Sequence, residues 1–492
     1  MSLDLQKPLV APSPAPFEDS PFGRQTGRNG AWTNLVVHAS LLVGVVALSL
    51  FVRAVLDQAG TRINSFFVAT WSGSLPEIYA LPWWRFFLPI KCMTGSWCTT
   101  SLLLVHGLEQ WLPSPAYVFY LTNALMVTTA YTLSFAVFRS RVFAGTLGLC
   151  FALTTFNHHV YDVSGTVAMP LIVCYLMFFL FCQYKLLEPG CRLLLWVPIG
   201  VLSMLLYALA YEGWLDCVAC MGLVYPFLIV LAWRAGEYRR AKVAAAILLV
   251  TMATMIGYVA LKRSMGDGQG AGSESDVVFN YGRSYWLLAV EDVIGHLFTH
   301  FFVTITTYTP PLFFNGSVSS WKFGTEQILA LQNGYHLDQT HLLRYHHLFY
   351  WRFYAGFAAA MVLFGLWKNV RACWRMPSLT SVGVFVFLMM TLLSGATHSI
   401  VKERPMHSAP FLGYHSYFGV VGFSLLLALA AWWMQRNFQR RWLAWSLIAL
   451  LWLNLGYCAL IRPAFLSHMA VQCGFNPYPD AWQNFKNTIR PH

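Results

Sequence analysis

The chain has 492 residues, of which 57% are hydrophobic and only 11% are charged. Apolar runs of about 20 residues recur along it, and each is long enough to cross a bilayer as a helix. The composition therefore excludes an ordinary soluble domain and predicts an all-α, polytopic membrane protein. The net charge of +12 raises the separate question of where the excess basic residues lie.

Eleven membrane spans are predicted along the chain. The first 30 residues are polar and rich in proline, which is typical of a disordered tail rather than a cleaved signal. An odd number of spans puts the two termini on opposite sides of the membrane. The spans cover residues 31–52, 115–138, 142–157, 166–184, 193–211, 214–233, 242–261, 347–367, 378–397, 415–434 and 442–461.

Every second linker between these spans is short and basic, as the positive-inside rule expects for cytoplasmic loops. Together with a cytoplasmic N-terminal tail (1–30), these linkers account for the whole net charge of +12. The charge therefore indicates topology, and no basic domain remains that would bind DNA or RNA. The linker cations are Arg139, Arg141, Lys185, Arg192, Arg234, Arg239, Arg240, Lys242, Lys368, Arg371, Arg375, Arg436, Arg440 and Arg441.

The remaining polar mass falls on the predicted external side, in two loops and a C-terminal tail. The segment 284–309 is apolar enough to suggest a twelfth span, but its acids and histidines follow helical spacing, which favours an interfacial helix outside the membrane. The predicted units are an N-terminal transmembrane module (31–261) with its first external loop (53–114), a second external loop (262–346), a C-terminal transmembrane module (347–461) and an external tail (462–492).

Several soluble-enzyme motifs are absent from the chain. It contains no GxxxxGK[ST], no HExxH and no GxGxxG between a strand and a helix, which argues against an ATP-driven transporter. Cys92 and Cys98 lie together in the first external loop, either as a disulfide or as two free thiols. Candidate chemistry is therefore expected where acids, histidines and arginines meet on the external face.

Two acids in the first external loop are candidate bases. Asp57 follows the first span between Arg53 and Arg62, so that its carboxylate could act as a base while the arginines hold a phosphate. Glu77 stands among aromatic residues, where partial burial would raise its affinity for a proton. The alternatives are a helix-end charge at the lipid headgroups for Asp57 and a surface acid on an interfacial helix for Glu77.

Two short external turns carry further polar residues. The turn FNHHVYDVSGT contains His158, His159 and Asp162, which either contribute part of a metal site or form a hydrogen-bonded loop. Glu212 lies in the turn YEGW, with Asp216 one helical turn further along. An acid near a span is a functional candidate, although an ion pair with Arg404 would also satisfy Glu212.

The segment HSIVKERPMHSAPFLGYHSYFG leads into the tenth span and is rich in basic and aromatic residues. Such residues suit a lipid-linked phosphate or pyrophosphate, whereas interfacial anchoring is the alternative interpretation. The candidate phosphate ligands and their neighbours are Lys402, Arg404, His407, Tyr414 and His415.

This layout resembles the GT-C class of integral-membrane glycosyltransferases, which use polyprenyl-phosphate-linked sugar donors. The shared features are a cytoplasmic N-terminus, a long first external loop, an acid after the first span (Asp57), an acid in the next external turn (Asp162) and the basic-aromatic segment KERPMHSAPFLGYHSYF. In place of the paired acids often found after the first span, this chain has the solitary Asp57. The roles that the resemblance carries over are those of Asp57, Asp162, Arg404 and Glu212.

The resemblance implies transfer of a sugar from a polyprenyl phosphate to a glycan, lipid or protein acceptor at the outer face of a bacterial inner membrane. An external carboxylate would deprotonate the acceptor, and Arg404 with Lys402 would hold the donor phosphate. No cofactor is required by this chemistry, and a divalent metal remains open. The protein would be an enzyme whose partners are the lipid-linked sugar and membrane lipids.

Two other functions are compatible with the sequence. An O-antigen ligase or polymerase also acts on lipid-linked sugars, and the histidine-rich stretch NGYHLDQTHLLRYHHLFYWRFY would then supply His341 and Arg344. A secondary transporter is the second alternative, but internal repeats and mid-membrane charges are expected there. The acids of this chain cluster at predicted external helix ends instead.

Overall fold

The structure is a computed structural model, and it describes residues 28–58, 82, 116–153, 163–188, 191–210, 214–264, 348–375, 379–393 and 417–472. These residues are 94% helical and include no strand. The all-α prediction is therefore confirmed for the part of the chain that is described. The candidate interfacial helix at 284–309 and the pair Cys92 and Cys98 lie outside it.

The described helices follow one another at the positions of the predicted spans. They are α1 (Arg28–Gln58), α2 (Ala116–Phe138), α3 (Arg141–Leu153), α4 (Val163–Leu187), α5 (Leu193–Ala210), α6 (Trp214–Arg234), α7 (Tyr238–Ser264), α8 (Leu348–Arg375), α9 (Leu379–Leu392), α10 (Tyr417–Asn437) and α11 (Arg441–Gln472).

Within these described ranges, six helices are long and apolar enough to cross a membrane. Their candidate spans are Leu35–Val52, Tyr120–Phe138, Pro170–Leu187, Asp216–Arg234, Tyr238–Gly257 and Tyr417–Asn437. Parts of α3, α5 and α9 form shorter apolar helices. The chain is thus a membrane protein with several spans, and the number eleven remains a prediction.

Helix α1 is longer than the first predicted span at both ends. It begins at Arg28, inside the segment predicted to be a disordered tail, and continues to Gln58. The first glycine after its apolar run is Gly60, so no strong helix breaker precedes that point. Arg53 and Asp57 consequently belong to the last two turns of α1.

The bundle is organised around the short helix α3. Eleven of its 13 residues are buried, and it contacts α1, α2, α10 and α11. A hydrogen bond between side chains also joins α11 to α3, because the Trp452 indole N–H donates to Thr146 Oγ1 at 3.1 Å. The periphery is apolar instead, since Leu194 and Leu453 are 96% and 69% exposed, as expected for side chains that face lipid.

The short basic linkers meet at one end of the bundle. Arg239 and Arg240, at the start of α7, donate to the backbone oxygens of Cys191 and Leu187, each at 3.0 Å. The Arg234 guanidinium stacks over the Trp374 ring at 3.8 Å, which brings the C-terminal ends of α6 and α8 together.

The ends of α2 and α10 join the same region. The Phe138 ring meets that of Trp432 edge-on, with 6.5 Å between centroids, and Arg139 and Arg240 both act electrostatically on the Tyr184 hydroxyl. We call this end, which carries the linker cations from Arg139 to Arg441 given above, the basic end. The structure therefore gathers in space the charges that the sequence spreads over five linkers.

Candidate functional site

A buried polar cluster occupies the end of the bundle opposite the basic end. Tyr207 lies in the last turn of α5, Asp216 and Cys217 lie in the first turns of α6, and Tyr417 is the first residue of α10. All four side chains are at most 3% exposed. Asp216 precedes Arg234 by 18 residues on α6, which corresponds to about 27 Å along the helix axis.

Two tyrosines form the centre of this cluster. The hydroxyl groups of Tyr207 and Tyr417 are hydrogen-bonded to each other. A tyrosine hydroxyl that is buried in an apolar bundle needs such a partner. The contact fixes the C-terminal end of α5 against the N-terminal end of α10.

The carboxyl group of Asp216 lies close enough to act electrostatically on both tyrosine hydroxyls. The neighbouring Cys217 thiol interacts with Tyr207 as well. A carboxylate accepts hydrogen bonds and the phenols can donate them, so this arrangement can hold a proton or a hydroxyl group among several oxygens. The cluster is consequently the best candidate for chemistry within the described ranges.

An apolar cavity of about 170 Å³ begins beside this cluster and runs toward the basic end. Cys217 and Phe418 line the part of the cavity next to this cluster, and Val224 and Val386 line its middle. Tyr184 lines its lower part, which is the part next to the basic end. The wall is formed by α2, α4, α6, α9 and α10. The bundle therefore combines a polar cluster at one end with a hydrocarbon-lined space along its length.

Most of the residues that the sequence singles out lie outside the described ranges. For Arg53 and Asp57 the structure gives the helical backbone of α1 and nothing of the side chains. The roles proposed for all of them remain predictions. The residues outside are Arg62, Glu77, His158, His159, Asp162, Glu212, His341, Arg344, Lys402, Arg404, His407, Tyr414 and His415.

Several of these residues are sequence neighbours of the described cluster. Glu212 falls between the end of α5 and the start of α6, and His415 precedes Tyr417 by two positions. Sequence reasoning noted Asp216 but assigned no role to Tyr207 or Tyr417. These tyrosines could have been identified by their position at the ends of apolar helices, since a tyrosine hydroxyl requires a partner when it is buried.

No group of three or more potential metal ligands occurs among the residues that the structure describes. His158, His159 and Asp162 lie outside them, so the sequence-based possibility of a metal site there is untested. Comparison of the chain with protein-family models and with curated proteins gives no match.

Proposed function

We propose that this protein is an integral-membrane glycosyltransferase of the GT-C class that moves a sugar from a polyprenyl-phosphate donor to an acceptor at the outer face of the membrane. It has eleven spans, a cytoplasmic N-terminus and an external C-terminus, and its membrane is the bacterial inner membrane. The acceptor is a glycan, a lipid or a protein.

The observation that carries the proposal is the buried cluster of Asp216, Tyr207 and Tyr417 at the end opposite the basic linkers. By the positive-inside rule, the basic end faces the cytoplasm and the cluster faces outward. A buried ionisable residue in a membrane bundle indicates function. Its sequence neighbours Glu212 and His415 belong to the set that the sequence predicts for the site.

In the proposed reaction, the acceptor hydroxyl oxygen attacks the anomeric carbon of the donor sugar, and the bond from that carbon to the phosphate oxygen breaks. The hydroxyl proton passes to an external carboxylate, for which Asp57 is the first candidate, and polyprenyl phosphate leaves. Direct displacement inverts the anomeric centre. Arg404 and Lys402 neutralise the phosphate.

The Asp–Tyr cluster has a positioning role in this scheme. Tyr207 is five residues before Glu212, and Tyr417 is two residues after His415. The hydrogen bond between the two tyrosines therefore fixes the helix ends from which both candidate segments extend. Because reacting groups must be held in a narrow range of geometry, loosening these ends is expected to slow transfer.

The test is sugar transfer by the purified chain in proteoliposomes. The donors are polyprenyl monophosphates that carry different radiolabelled sugars, and an envelope extract supplies acceptors. We expect Asp57→Asn to lower turnover by about 100-fold or more, which is the usual contribution of a general base, and to leave donor binding unchanged. Asp19→Asn in the N-terminal tail is the control. Absence of both transfer and donor binding in the wild type would overturn the proposal.

A second candidate function is supported by the burial of Asp216. A carboxyl group that is 2% exposed inside a helical bundle is also a feature of proton- or cation-coupled transporters. Asp216→Asn separates the two functions, because a coupling carboxylate must change its charge. A transporter would lose gradient-driven solute uptake and would transfer no sugar, whereas a transferase would still form glycan, at a reduced rate, with or without an ion gradient.

A further inference from the structure

The lower part of the apolar cavity lies among charged groups at the basic end. Phe138, Tyr184 and Leu187 line the cavity there. Arg139 directly follows Phe138 and is exposed. Arg240 Nε donates to the backbone oxygen of Leu187 at 3.0 Å, and both arginines act electrostatically on Tyr184. A hydrocarbon-lined space thus meets a cationic rim at the predicted cytoplasmic surface.

The charges on this rim leave cations in excess. Lys185 forms a salt bridge with Glu188 at 2.8 Å, and Arg240 forms one with Glu237 at 2.5 Å. Within the described part of the chain, no carboxylate forms a salt bridge with Arg139. The two paired cations therefore offset the two acids, and Arg139, together with Arg239 on the Cys191 backbone oxygen, leaves the rim with a net positive charge.

Polar groups in the wall of the cavity are paired with each other. The Tyr225 hydroxyl donates to Gln183 Oε1 at 2.7 Å. This hydrogen bond satisfies two polar groups that would otherwise need water as a hydrogen-bond partner. The wall beyond the rim consequently suits a hydrocarbon chain. The groups that could bind a charged headgroup lie at the rim.

The size of the cavity limits its occupant. A volume of about 170 Å³ is below the roughly 300–1,000 Å³ of pockets that enclose a drug-sized ligand. It accommodates part of one hydrocarbon chain, with the remainder of the molecule outside the helices. An occupant that combines one such chain with a negatively charged headgroup matches both the wall and the rim.

We propose that this cavity binds an anionic membrane phospholipid, with part of one acyl chain between α4, α6 and α9 and its phosphodiester group at Arg139. The headgroup carries one negative charge, which complements the net positive charge of the rim. Basic pockets between transmembrane helices on the cytoplasmic side are suited to anionic lipids for this reason. The rim lies at the opposite end of the bundle from the proposed sugar-transfer chemistry, and lipid binding there does not depend on that chemistry.

The test is lipid retention by the full chain, measured by native mass spectrometry after extraction from vesicles. The vesicles contain equal amounts of phosphatidylglycerol and phosphatidylcholine with the same acyl chains. We expect the wild type to retain phosphatidylglycerol preferentially. One basic residue near the membrane surface contributes about 1 kcal/mol to binding anionic lipid, so Arg139→Gln should lower the preference about fivefold.

Two further variants test the position of the charge and the need for the cavity. Arg440→Gln removes an exposed cation from the same end of the bundle but not from the rim, and it should retain the wild-type preference. Val386→Phe fills part of the cavity and should lower retention of phosphatidylglycerol while all rim charges remain. This variant tests the site even if Arg139→Gln fails to fold.

The proposal would be wrong if the two lipids were retained equally or if Arg139→Gln and Arg440→Gln had the same effect. Unchanged retention in a folded Val386→Phe variant would also overturn it. Addition of polyprenyl phosphate provides a last comparison. Displacement of phosphatidylglycerol at equimolar polyprenyl phosphate would assign the cavity to the polyprenyl lipid instead.

Discussion

The hydroxyl groups of Tyr207 and Tyr417 are hydrogen-bonded in the interior of the bundle, although the two residues are 210 positions apart in the chain. Tyr207 lies in the last turn of α5 and Tyr417 begins α10, so the contact joins the N-terminal and C-terminal transmembrane modules. Both side chains are almost fully buried. The pair therefore joins two halves of the chain at the end where the proposed chemistry takes place.

We predict that Tyr207→Phe and Tyr417→Phe each lower the free energy of unfolding by about 1–3 kcal/mol, because each leaves the opposite buried hydroxyl without this partner. The double substitution should cost clearly less than the sum of the two, since residues in direct contact are coupled. The measurement is thermal unfolding in detergent micelles.

The control for this pair is Tyr225→Phe, which removes a hydroxyl that donates to Gln183 instead. Combined with Tyr207→Phe, its effect should be additive because the two hydrogen bonds share no partner. Additivity of Tyr207→Phe with Tyr417→Phe would contradict a direct interaction between those two hydroxyls. Transfer assays on the same variants show whether the contact also positions the site.

The positions of the helices could be predicted from the sequence because each depends on a local property. A run of about 20 apolar residues is sufficient to define a span, and α2, α6 and α10 fall within a few residues of the predicted ranges. The ends were less predictable. Helix α1 reaches Gln58 because nothing between Arg53 and Gln58 breaks a helix, although that stretch is too polar to count as a span.

The buried cluster could not be predicted in the same way. The contact between Tyr207 and Tyr417 depends on which helices become neighbours, and no spacing in the sequence encodes that. Asp216 could be identified as an unusual acid in an apolar helix, but its burial follows from how α5 and α10 pack around it. The candidate bases Asp57, Glu77 and Asp162 were identified by their charge, their sequence neighbours and their order relative to the spans, which gives a position in the chain and no partner in space.

Gly422 allows a close approach between α9 and α10. A Cβ at this position would lie 2.6 Å from Met390 Cβ, 3.0 Å from the Phe387 backbone oxygen and 3.2 Å from the Thr391 backbone nitrogen. Backbone atoms cannot move aside as a flexible side chain does. We therefore predict that Gly422→Ala lowers the free energy of unfolding by about 1–3 kcal/mol, as overpacked cores do.

The matched control for Gly422→Ala is Gly145→Ala in α3, where a Cβ would meet nothing within 4 Å. That substitution should be neutral or stabilising, because alanine favours the helical conformation more than glycine does. Both variants are compared by thermal unfolding in the same detergent. Equal melting temperatures for the two would contradict the close packing of α9 on α10.

A histidine connects α1 to α2 and α3 near the basic end. Arg141 Nε donates to His38 Nε2 at 3.3 Å, and His38 Nδ1 lies 3.1 Å from the Tyr131 hydroxyl. Because Nε2 accepts, the ring is neutral and Nδ1 carries the proton. We predict that His38→Phe, which keeps the ring against Phe135, lowers the free energy of unfolding by about 1–3 kcal/mol.

Adding Tyr131→Phe to His38→Phe tests whether the effect comes from these hydrogen bonds. Since the histidine is then already absent, removal of the tyrosine hydroxyl should cost less than it does in the wild type. Thermal unfolding of the wild type, the two single variants and the double variant gives the coupling. A double variant that loses the full sum of both effects would show that the two side chains stabilise the protein independently.

Cys191 provides a test of membrane orientation together with a pH dependence. It lies in the linker between α4 and α5 at the basic end, and its backbone oxygen accepts a hydrogen bond from Arg239. Burial raises the pKa of the Cys191 thiol above its usual value, an effect that Glu188 reinforces and that Arg239 and Lys185 oppose. At a given pH below this raised pKa, the folded protein therefore holds less reactive thiolate than an unfolded chain does.

A membrane-impermeant maleimide should label Cys191 in inverted vesicles and leave it unlabelled in intact cells, because the basic end is predicted to be cytoplasmic. The labelling rate should keep rising with pH beyond the usual pKa of a free thiol. Cys92, Cys98, Cys458 and Cys473 are replaced by serine, and the six other cysteines are buried, so that the signal comes from Cys191. Labelling of Cys191 in intact cells would reverse the orientation, and the candidate site with Asp216 would then face the cytoplasm, where the proposed outer-face transfer could not occur.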